Sequence, residues 1–237
     1  MTGLRPLLLA LSLMAAATAA NATADPSVRE GDGVAARAAV LDGTDGVEAT
    51  TTLASTDARY TMRWVAASRD NRGQPFAVVD KKDARIYVFD GRGHLIGQSV
   101  VLTGAAKGDG SVPGIGARPV ADIKPFERTT PAGRFASQPG RNLQGETIVW
   151  VDYDTGIAIH RLRPGKAEAR RAAAMATPTP DDNRQSYGCV VVPPAFFDAV
   201  IEPVLGHGQG VVYVMPEEQP VTAMFGQPQL TRVALRH

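Results

Sequence analysis

The only cysteine in this 237-residue chain, Cys189, follows a glycine and precedes three valines in the segment NRQSYGCVVVPPAFF (183–197). A thiol becomes a nucleophile when a nearby base takes its proton or when positive charge favours the thiolate. Of the four histidines, His160 alone ends a strand-like apolar run, GIAIH (156–160), where a base is held rigidly. Cys189 and His160 thus predict cysteine acyl-transfer chemistry, and an inert buried thiol is the alternative.

Three residues before the cysteine are expected to shape such a site. Gly188 permits a tight backbone that would direct the amides near Gly188 and Cys189 at a developing oxyanion. Ser186 either touches the substrate or bonds the local backbone. Tyr187 either packs as an aromatic ring or presents its hydroxyl.

Composition excludes several other classes of protein. The chain has 25 Lys and Arg against 24 Asp and Glu, and this near-neutral balance argues against nucleic-acid binding. A lone cysteine cannot form an internal disulfide or supply the Cys/His ligands of a structural zinc site. The sequence therefore predicts neither an internal disulfide nor a structural zinc site.

The chain divides into four parts. Residues 1–22 combine an early arginine, an apolar run and small residues, which is typical of a secretory signal peptide. Residues 23–72 offer little apolar surface and are interpreted as a disordered tether, although the stretch around Trp64 could dock on the domain. A domain at 73–217 and a tail at 218–237 follow. The expectation is an exported, soluble monomer with no membrane span.

Within the domain the pattern predicts a mainly β fold. Short runs rich in Val, Ile, Tyr and Phe, such as FAVVD (76–80), RIYVFD (85–90) and GVVYVM (210–215), alternate with Gly, Pro and Asp. The segment Asp90-Gly91-Arg92-Gly93 predicts a hairpin turn.

Two helical insertions and one long loop complete this prediction. One helix is expected from Pro164 until Thr177, and the other from Pro194 until Gly206. The Gly- and Pro-rich loop from Thr103 to Pro131 is of a length that is often functional.

Four sequence blocks, in order, resemble the L,D-transpeptidase catalytic domain family. Residues 78–89 are similar to its first hairpin, and Thr-Pro-Ala-Gly-Arg-Phe (130–135) is similar to its Thr-Pro-x-Gly-x-Phe/Tyr loop. His160 matches its first histidine, and Ser-Tyr-Gly-Cys (186–189) matches its Ser/Thr-His-Gly-Cys block. The resemblance covers roughly residues 74 to 216.

The resemblance implies a β-sandwich-like fold, a location in the periplasm or cell wall, and a reaction on the peptide stems of peptidoglycan. Cys189 would attack the donor carbonyl and form a thioester, while His160 would take the thiol proton and later activate an acceptor amine. It also implies that no metal or organic cofactor is needed. Water in place of the amine would make the protein a hydrolase of crosslinks.

The sequence departs from the family pattern at three places. Tyr187 stands where the family usually has a second histidine, and Val191 stands where it often has Arg or Asn. The loop from Arg161 to Gln185 is 25 residues long and holds the predicted Ala/Arg helix. These departures favour an altered specificity, and the alternative that they suggest is a non-catalytic peptidoglycan-binding domain.

The stretch from His160 to Tyr187 carries a net charge of +3. Its cations could hold the carboxylates of a peptide stem, and the alternative is a solvated helix face. Arg184, the cation nearest Cys189 in sequence, is the predicted substrate-binding residue. Asn183 is a second candidate for a hydrogen bond near the site.

Overall fold

The structure, a computed structural model, describes residues 54–226. Predictions for the signal peptide, for residues 23–53 and for residues 227–237 lie outside the described residues. The strands within this range are β1 (Phe76–Asp80), β2 (Arg85–Phe89), β3 (Leu95–Val100), β4 (Thr103–Gly104), β5 (Gly133–Arg141), β6 (Thr147–Asp152), β7 (Ile157–Arg161), β8 (Arg184–Ser186), β9 (Val190–Val192) and β10 (Gly210–Val214).

Helices occupy the ends and the connections of this β framework. The α-helices are α1 (Thr56–Ser68), α2 (Glu168–Ala176), α3 (Pro194–Phe196), α4 (Glu202–Leu205) and α5 (Val221–Phe225). A π-helical turn, Phe197–Ile201, joins α3 to α4. Short 3-10 turns lie at Ile115–Ala117, Val120–Asp122, Pro125–Glu127 and Asp181–Asn183.

Eight strands form one mixed sheet in the order β3-β2-β1-β10-β5-β6-β7-β9, and β4 pairs with β8 in a second, two-stranded sheet. The hairpin predicted at residues 90–93 joins β2 to β3, and Asp90 accepts hydrogen bonds from the amides of Arg92 and His94 there. At the far edge, β7 and β9 pair in parallel, with Ile159 opposite Val190. The prediction of a mainly β fold is confirmed.

The sheet separates two apolar cores. Ala77 and Val79 of β1 belong to an inner core, which also holds residues of β6, β7 and β9 from the other half of the sheet. Phe76 and Val78 point to an outer core. Because β1 is buried on both faces, its sequence is a continuous apolar run instead of an alternating one. The sheet curls so that its two halves enclose the inner core.

The predicted helix from Pro194 to Gly206 is present and covers the inner core. Phe197, Val200 and Ile201 are buried there. Pro203, which has no amide hydrogen to donate, lies two residues after the end of the π-helical segment. The other predicted helix starts later than expected, at Glu168 instead of Pro164.

Helices α1 and α5 cover the outer core. The Trp64 ring packs edge-on against Tyr213 at 6.1 Å between centroids and lies 5.6 Å from the Phe225 ring. The docking expected around Trp64 is therefore observed, but residues 56–68 form a helix where a disordered tether was expected. The first part of the expected tail, in α5, is folded as well.

No helix within residues 54–226 is long and apolar enough to cross a membrane.

Candidate active site

Cys189 lies in the turn between β8 and β9, on the wall of a cavity of about 130 Å³. Tyr187 lines the same cavity, as do Gly156 and Ile157 at the start of β7. Most of the remaining wall comes from the Gly- and Pro-rich loop after β4, including Thr129. The long loop and the cysteine turn therefore share one concave surface, which could take a small group of a ligand.

The thiol contacts the backbone at the start of β7. Sγ donates a hydrogen bond to the Gly156 carbonyl oxygen at 3.6 Å. Burial raises the pKa of the Cys189 thiol, while the Ala158 amide and the positive charge of Arg163 act in the opposite direction. The resting sulfur is consequently a neutral thiol near pH 7.

His160 lies on β7, the strand that pairs with β9. Its register partner is Val191, so continuing the register by one residue beyond Val190 places Cys189 beside Ala158. Residues paired across a sheet, and residues two apart on one strand, point to the same face. The side chains of His160 and Cys189 therefore lie on the same face of the sheet, two positions apart along the strands.

The imidazole of His160 is held in one tautomer. Its Nδ1 lies 2.8 Å from the Arg161 carbonyl oxygen, which can only accept a hydrogen bond, so Nδ1 carries the proton and Nε2 keeps a free lone pair. Burial is the main cause that lowers the pKa of His160 to about 4; the hydrogen bond to Arg161 acts in the opposite direction, and the Arg163 guanidinium adds to the lowering. The ring is thus neutral near pH 7 and suited to accept a proton.

The structure brings His160 and Cys189 to adjacent strands but does not join them by a hydrogen bond. Among the hydrogen bonds of the described residues, the thiol donates to Gly156 and the ring donates to Arg161. A rotation of the thiol away from Gly156 is needed before its proton can pass to Nε2.

Ser186 and Gly188 shape the cysteine turn. The Ser186 hydroxyl donates to the Cys189 carbonyl at 2.6 Å and accepts from the Gly188 amide at 3.0 Å. The Gly188 amide therefore has an internal partner and is not free for the oxyanion role expected of it. Gly188 itself has φ +126°, and a Cβ there would lie 2.6 Å from Ile157 Cδ1 and 2.7 Å from the Thr129 carbonyl oxygen.

Thr130 supports this turn from the long loop. Its hydroxyl donates to the Gly188 carbonyl at 2.8 Å and accepts from the Gly104 amide at 2.8 Å. Sequence reasoning did not include Thr130 among the site residues. The Thr-Pro-Ala-Gly block at 130–133 was the signal that could have indicated it.

Tyr187 forms an exposed edge of the cavity. The Arg128 guanidinium stacks over its ring, 3.9 Å from the centroid. This cation–π contact fixes the ring against the long loop.

The two predicted substrate-binding residues have internal partners. Arg184 is almost buried and forms an ion pair with Glu217. Asn183 is buried and donates from Nδ2 to the Val101 carbonyl at 2.8 Å. Neither residue lines the cavity. The contacts of both residues are with other parts of the domain.

Val191 shares a face of the sheet with its register partner His160, and Arg163 follows the end of β7. Val191 packs in a small apolar cluster with Leu102, Leu162 and Ala174. Arg163 Nε lies 2.8 Å from Glu146 Oε2, and both side chains are more than one-third exposed. Of the cations expected to hold carboxylates, Arg163 is the one whose charge acts on both the thiol and the imidazole.

Within the described range, no group of three or more His, Cys, Asp or Glu side chains is arranged to hold a metal ion.

Comparison with known proteins gave limited similarity. No family model matches the sequence, and no curated protein matches it. A fused Zn-dependent amidase/peptidase/peptidoglycan-binding domain-containing protein from Clostridium acetobutylicum matches at 15% identity and TM-score 0.38, over 73% of this chain and 63% of that chain. The catalytic domain of the E. faecium L,D-transpeptidase matches at 17% identity and TM-score 0.30, over 60% of this chain and 98% of that chain.

This chain thus spans less than two thirds of the length of the clostridial protein. Both TM-scores lie below 0.5, so the functional argument depends on the site itself.

Proposed function

We propose that this protein is an exported cysteine acyltransferase that acts on the peptide stems of peptidoglycan. Cys189 is the nucleophile and His160 is the base. One arrangement supports this best. The Cys189 thiol lies in a glycine turn on the wall of a cavity, and the neutral imidazole of His160 lies on the neighbouring strand β7, on the same face of the sheet as the thiol.

The proposed reaction starts from uncharged partners. Because burial raises the pKa of the thiol and lowers that of His160, a resting thiolate–imidazolium pair is disfavoured. His160 Nε2 instead takes the Sγ proton as the sulfur attacks the substrate carbonyl. The S–C bond forms, the C–N bond of the amide breaks, and the same proton leaves with the amine.

Resolution of the thioester completes the transfer. An acceptor amine loses a proton to His160 and attacks the acyl carbon. The new C–N bond forms, the S–C bond breaks, and His160 returns the proton to Sγ. The same steps with water in place of the amine give hydrolysis of a crosslink. The reaction needs no metal or organic cofactor.

Two features of the site would orient the substrate. Since the Gly188 amide is bonded to Ser186, the Cys189 amide is the proposed donor to the oxyanion. Arg163 is the proposed partner of a stem carboxylate, since its guanidinium is partly exposed and its field reaches the thiol. This assignment replaces Arg184, which is held by Glu217.

A specific observation favours a second candidate, a peptidoglycan-binding domain without turnover. The thiol hydrogen bonds to Gly156 and not to the imidazole, and Tyr187 stands at the place of the family's second histidine. In this alternative the cavity binds peptide stems but the thiol stays protonated.

Intact-protein mass spectrometry after incubation with tetrapeptide muropeptides separates the two candidates. The acyltransferase requires a covalent adduct on Cys189 and a crosslinked or exchanged product. Cys189→Ser should abolish the thioester, and His160→Ala should slow its formation at least about 100-fold. His94→Ala, which removes an exposed histidine elsewhere, is the matched control and should leave the rate unchanged.

Each other outcome has a defined meaning. A shortened stem without a new crosslink would identify hydrolysis. Saturable binding of muropeptides with no adduct over many hours would overturn the acyltransferase and leave the binding domain.

A further inference from the structure

A second and larger cavity, of about 540 Å³, lies at the other end of β1. Its walls are the end of α1, the loop that follows it and the β2–β3 turn, and Phe76 at the start of β1 lies among them. Lys81, which follows the end of β1, bonds the Thr130 carbonyl next to the cysteine turn. The five-residue strand therefore separates the two regions by roughly 17 Å.

Three arginines line this cavity, which we call the arginine pocket. Arg69, Arg72 and Arg92 are all exposed, and no residue that lines the pocket is acidic. None of the three forms a salt bridge with another described residue. The pocket lining is therefore positively charged, and only the charge of Arg72 also acts on a nearby carboxylate, that of Asp70.

The acidic residues nearest in sequence have other partners. Asp70 pairs with Arg134 and accepts a hydrogen bond from the Tyr213 hydroxyl at 2.6 Å. Asp90 accepts from backbone amides of its own turn and lies 2.9 Å from His94 Nδ1. These carboxylates thus form their direct ion pairs with residues outside the pocket lining, although the charge of Arg72 also lowers the pKa of Asp70.

The walls of the arginine pocket are held in place by specific contacts. Asn71, which is buried, donates from Nδ2 to the Gln74 carbonyl at 2.8 Å and to the Gly91 carbonyl at 3.1 Å, so it joins the two loops. The loops also touch directly, because a Cβ on Gly91 would lie 2.1 Å from the Gly73 carbonyl oxygen. A pocket with fixed walls loses little entropy when it binds a ligand.

The backbone at two of the arginines is unusual. Arg69 has φ 53° and Arg72 has φ 52°, in the left-handed region that side chains other than Asn, Asp and Gly seldom adopt. Arg69 is the left-handed C-cap of α1, and its amide donates to the Val65 carbonyl. The Arg72 amide in turn donates to the Arg69 carbonyl, so backbone hydrogen bonds fix the positions of both residues at the pocket.

We infer that the arginine pocket binds an organic phosphate. Guanidinium groups recognise phosphate by paired hydrogen bonds, and three of them match the charge and the several oxygens of a phosphate ester better than those of one carboxylate. The floor of the pocket includes the apolar Val65 and Phe76, which suits a ligand with a body attached to its phosphate. The volume is within the range for small-molecule sites.

Calorimetric titration of the full chain with glucose 1-phosphate and with inorganic pyrophosphate tests the inference. Binding is expected to weaken about tenfold in each of Arg69→Gln, Arg72→Gln and Arg92→Gln, since each removes a charge-assisted contact. Arg85→Gln is the matched control, because Arg85 is an exposed arginine at the opposite end of β2. The control variant should bind within about twofold of the unmodified chain.

Vesicles distinguish a soluble phosphate from a lipid headgroup. Sedimentation with phosphatidylglycerol vesicles but not with phosphatidylcholine vesicles, lost in Arg69→Gln, would place the phosphate on a lipid. Binding of glucose 1-phosphate without sedimentation would indicate a soluble ester.

Three results would overturn the inference: no binding of either probe, equal weakening in Arg85→Gln, or equally tight binding of citrate. Cys189→Ala should keep phosphate binding intact, so the outcome is independent of the proposed acyltransferase.

Discussion

The Thr130 hydroxyl donates a 2.8 Å hydrogen bond to the Gly188 carbonyl and joins the long loop to the cysteine turn. The same oxygen accepts from the Gly104 amide, so one buried side chain satisfies two backbone groups. Loop, turn and β4 are thereby fixed relative to one another directly beside the candidate nucleophile.

Thr130→Val should be destabilising although its shape is conserved. The substitution leaves the Gly104 amide and the Gly188 carbonyl without the hydroxyl, at a cost of about 1–3 kcal/mol for a buried unsatisfied group. Urea unfolding measures the loss, and hydrogen exchange should show reduced protection of the Gly104 amide.

Thr130→Ser is the control for this prediction, because it keeps the hydroxyl and removes one methyl group, worth about 0.8 kcal/mol. If the valine variant were as stable as the serine variant, the hydrogen bonds of Thr130 would contribute nothing to the free energy of unfolding.

Gly188→Ala should disrupt the cysteine turn for two separable reasons. The φ of +126° is unfavourable for alanine, at about 1–3 kcal/mol, and the new Cβ would press against the Thr129 backbone and the Ile157 side chain. Gly165→Ala is a matched control, since Gly165 has φ +147° and open space where the methyl group of alanine would lie.

Thermal unfolding should show a larger loss for Gly188→Ala than for Gly165→Ala, by about 1–3 kcal/mol of overpacking. Equal losses would mean that the contacts of the new methyl group with Thr129 and Ile157 add nothing to the destabilisation.

The strands were predictable where burial alone determines their sequence. β1 and β10 are buried along their whole length, and their sequences are apolar runs apart from Asp80 at the end of β1. β5 was missed because it contains Pro139 and Gly140 and is largely exposed. Gly140 is required there, since a Cβ would lie 2.4 Å from the Trp150 ring that crosses the strand. A glycine within a strand indicates that another group approaches closely, but the sequence does not show which residue that group belongs to.

The site was predictable only in its local part. The spacing around Cys189 indicated a glycine turn, and the end of an apolar run indicated that His160 lies on a strand. The environment of Arg184 could not be predicted, because its partner Glu217 is 33 residues away in the chain. Helix α1 was not predicted either. It buries only the small or β-branched residues Ala58, Thr61 and Val65, which give a weak apolar pattern in the sequence.

His160 should make stability depend on pH below neutrality. Its pKa is lowered from the ordinary 6.5 to about 4 because the folded protein buries the ring. Between these values the unfolded chain binds a proton that the folded chain does not, so the free energy of unfolding falls as pH decreases. The full effect corresponds to about 3 kcal/mol.

Urea unfolding at about pH 7 and about pH 4.5, for the unmodified chain and for His160→Gln, isolates this contribution. Carboxylates titrate in both proteins, so the difference between them reports the histidine. The glutamine variant should lose less stability on acidification. A parallel fall in the two proteins would show that the folded-state pKa of His160 is near 6.5 and that the ring is not effectively buried.

A buried ion cluster should contribute more to stability than the adjacent surface ion pair. Lys81 Nζ is buried and donates to Asp109 at 2.9 Å, to the Gly108 carbonyl at 2.6 Å and to the Thr130 carbonyl at 3.0 Å. It also lies 3.5 Å from Glu217, the partner of Arg184. The cluster thus holds the long loop and the segment after β10 against the end of β1.

Lys81→Met removes one cation and leaves the buried carboxylates under-compensated, which is expected to cost about 3–5 kcal/mol. Lys82→Met is the matched control, because Lys82 is the next residue and its ion pair with Asp57 is solvent-exposed. That substitution should cost no more than about 1 kcal/mol. Chemical denaturation of the two variants compares them directly.

Because Lys81 also holds the Thr130 carbonyl, Lys81→Met should reduce the protection of the Gly104 amide in hydrogen exchange, and Lys82→Met should not. Equal stability of the two variants would mean that the buried cluster contributes no more to the free energy of unfolding than the exposed ion pair of Lys82 does.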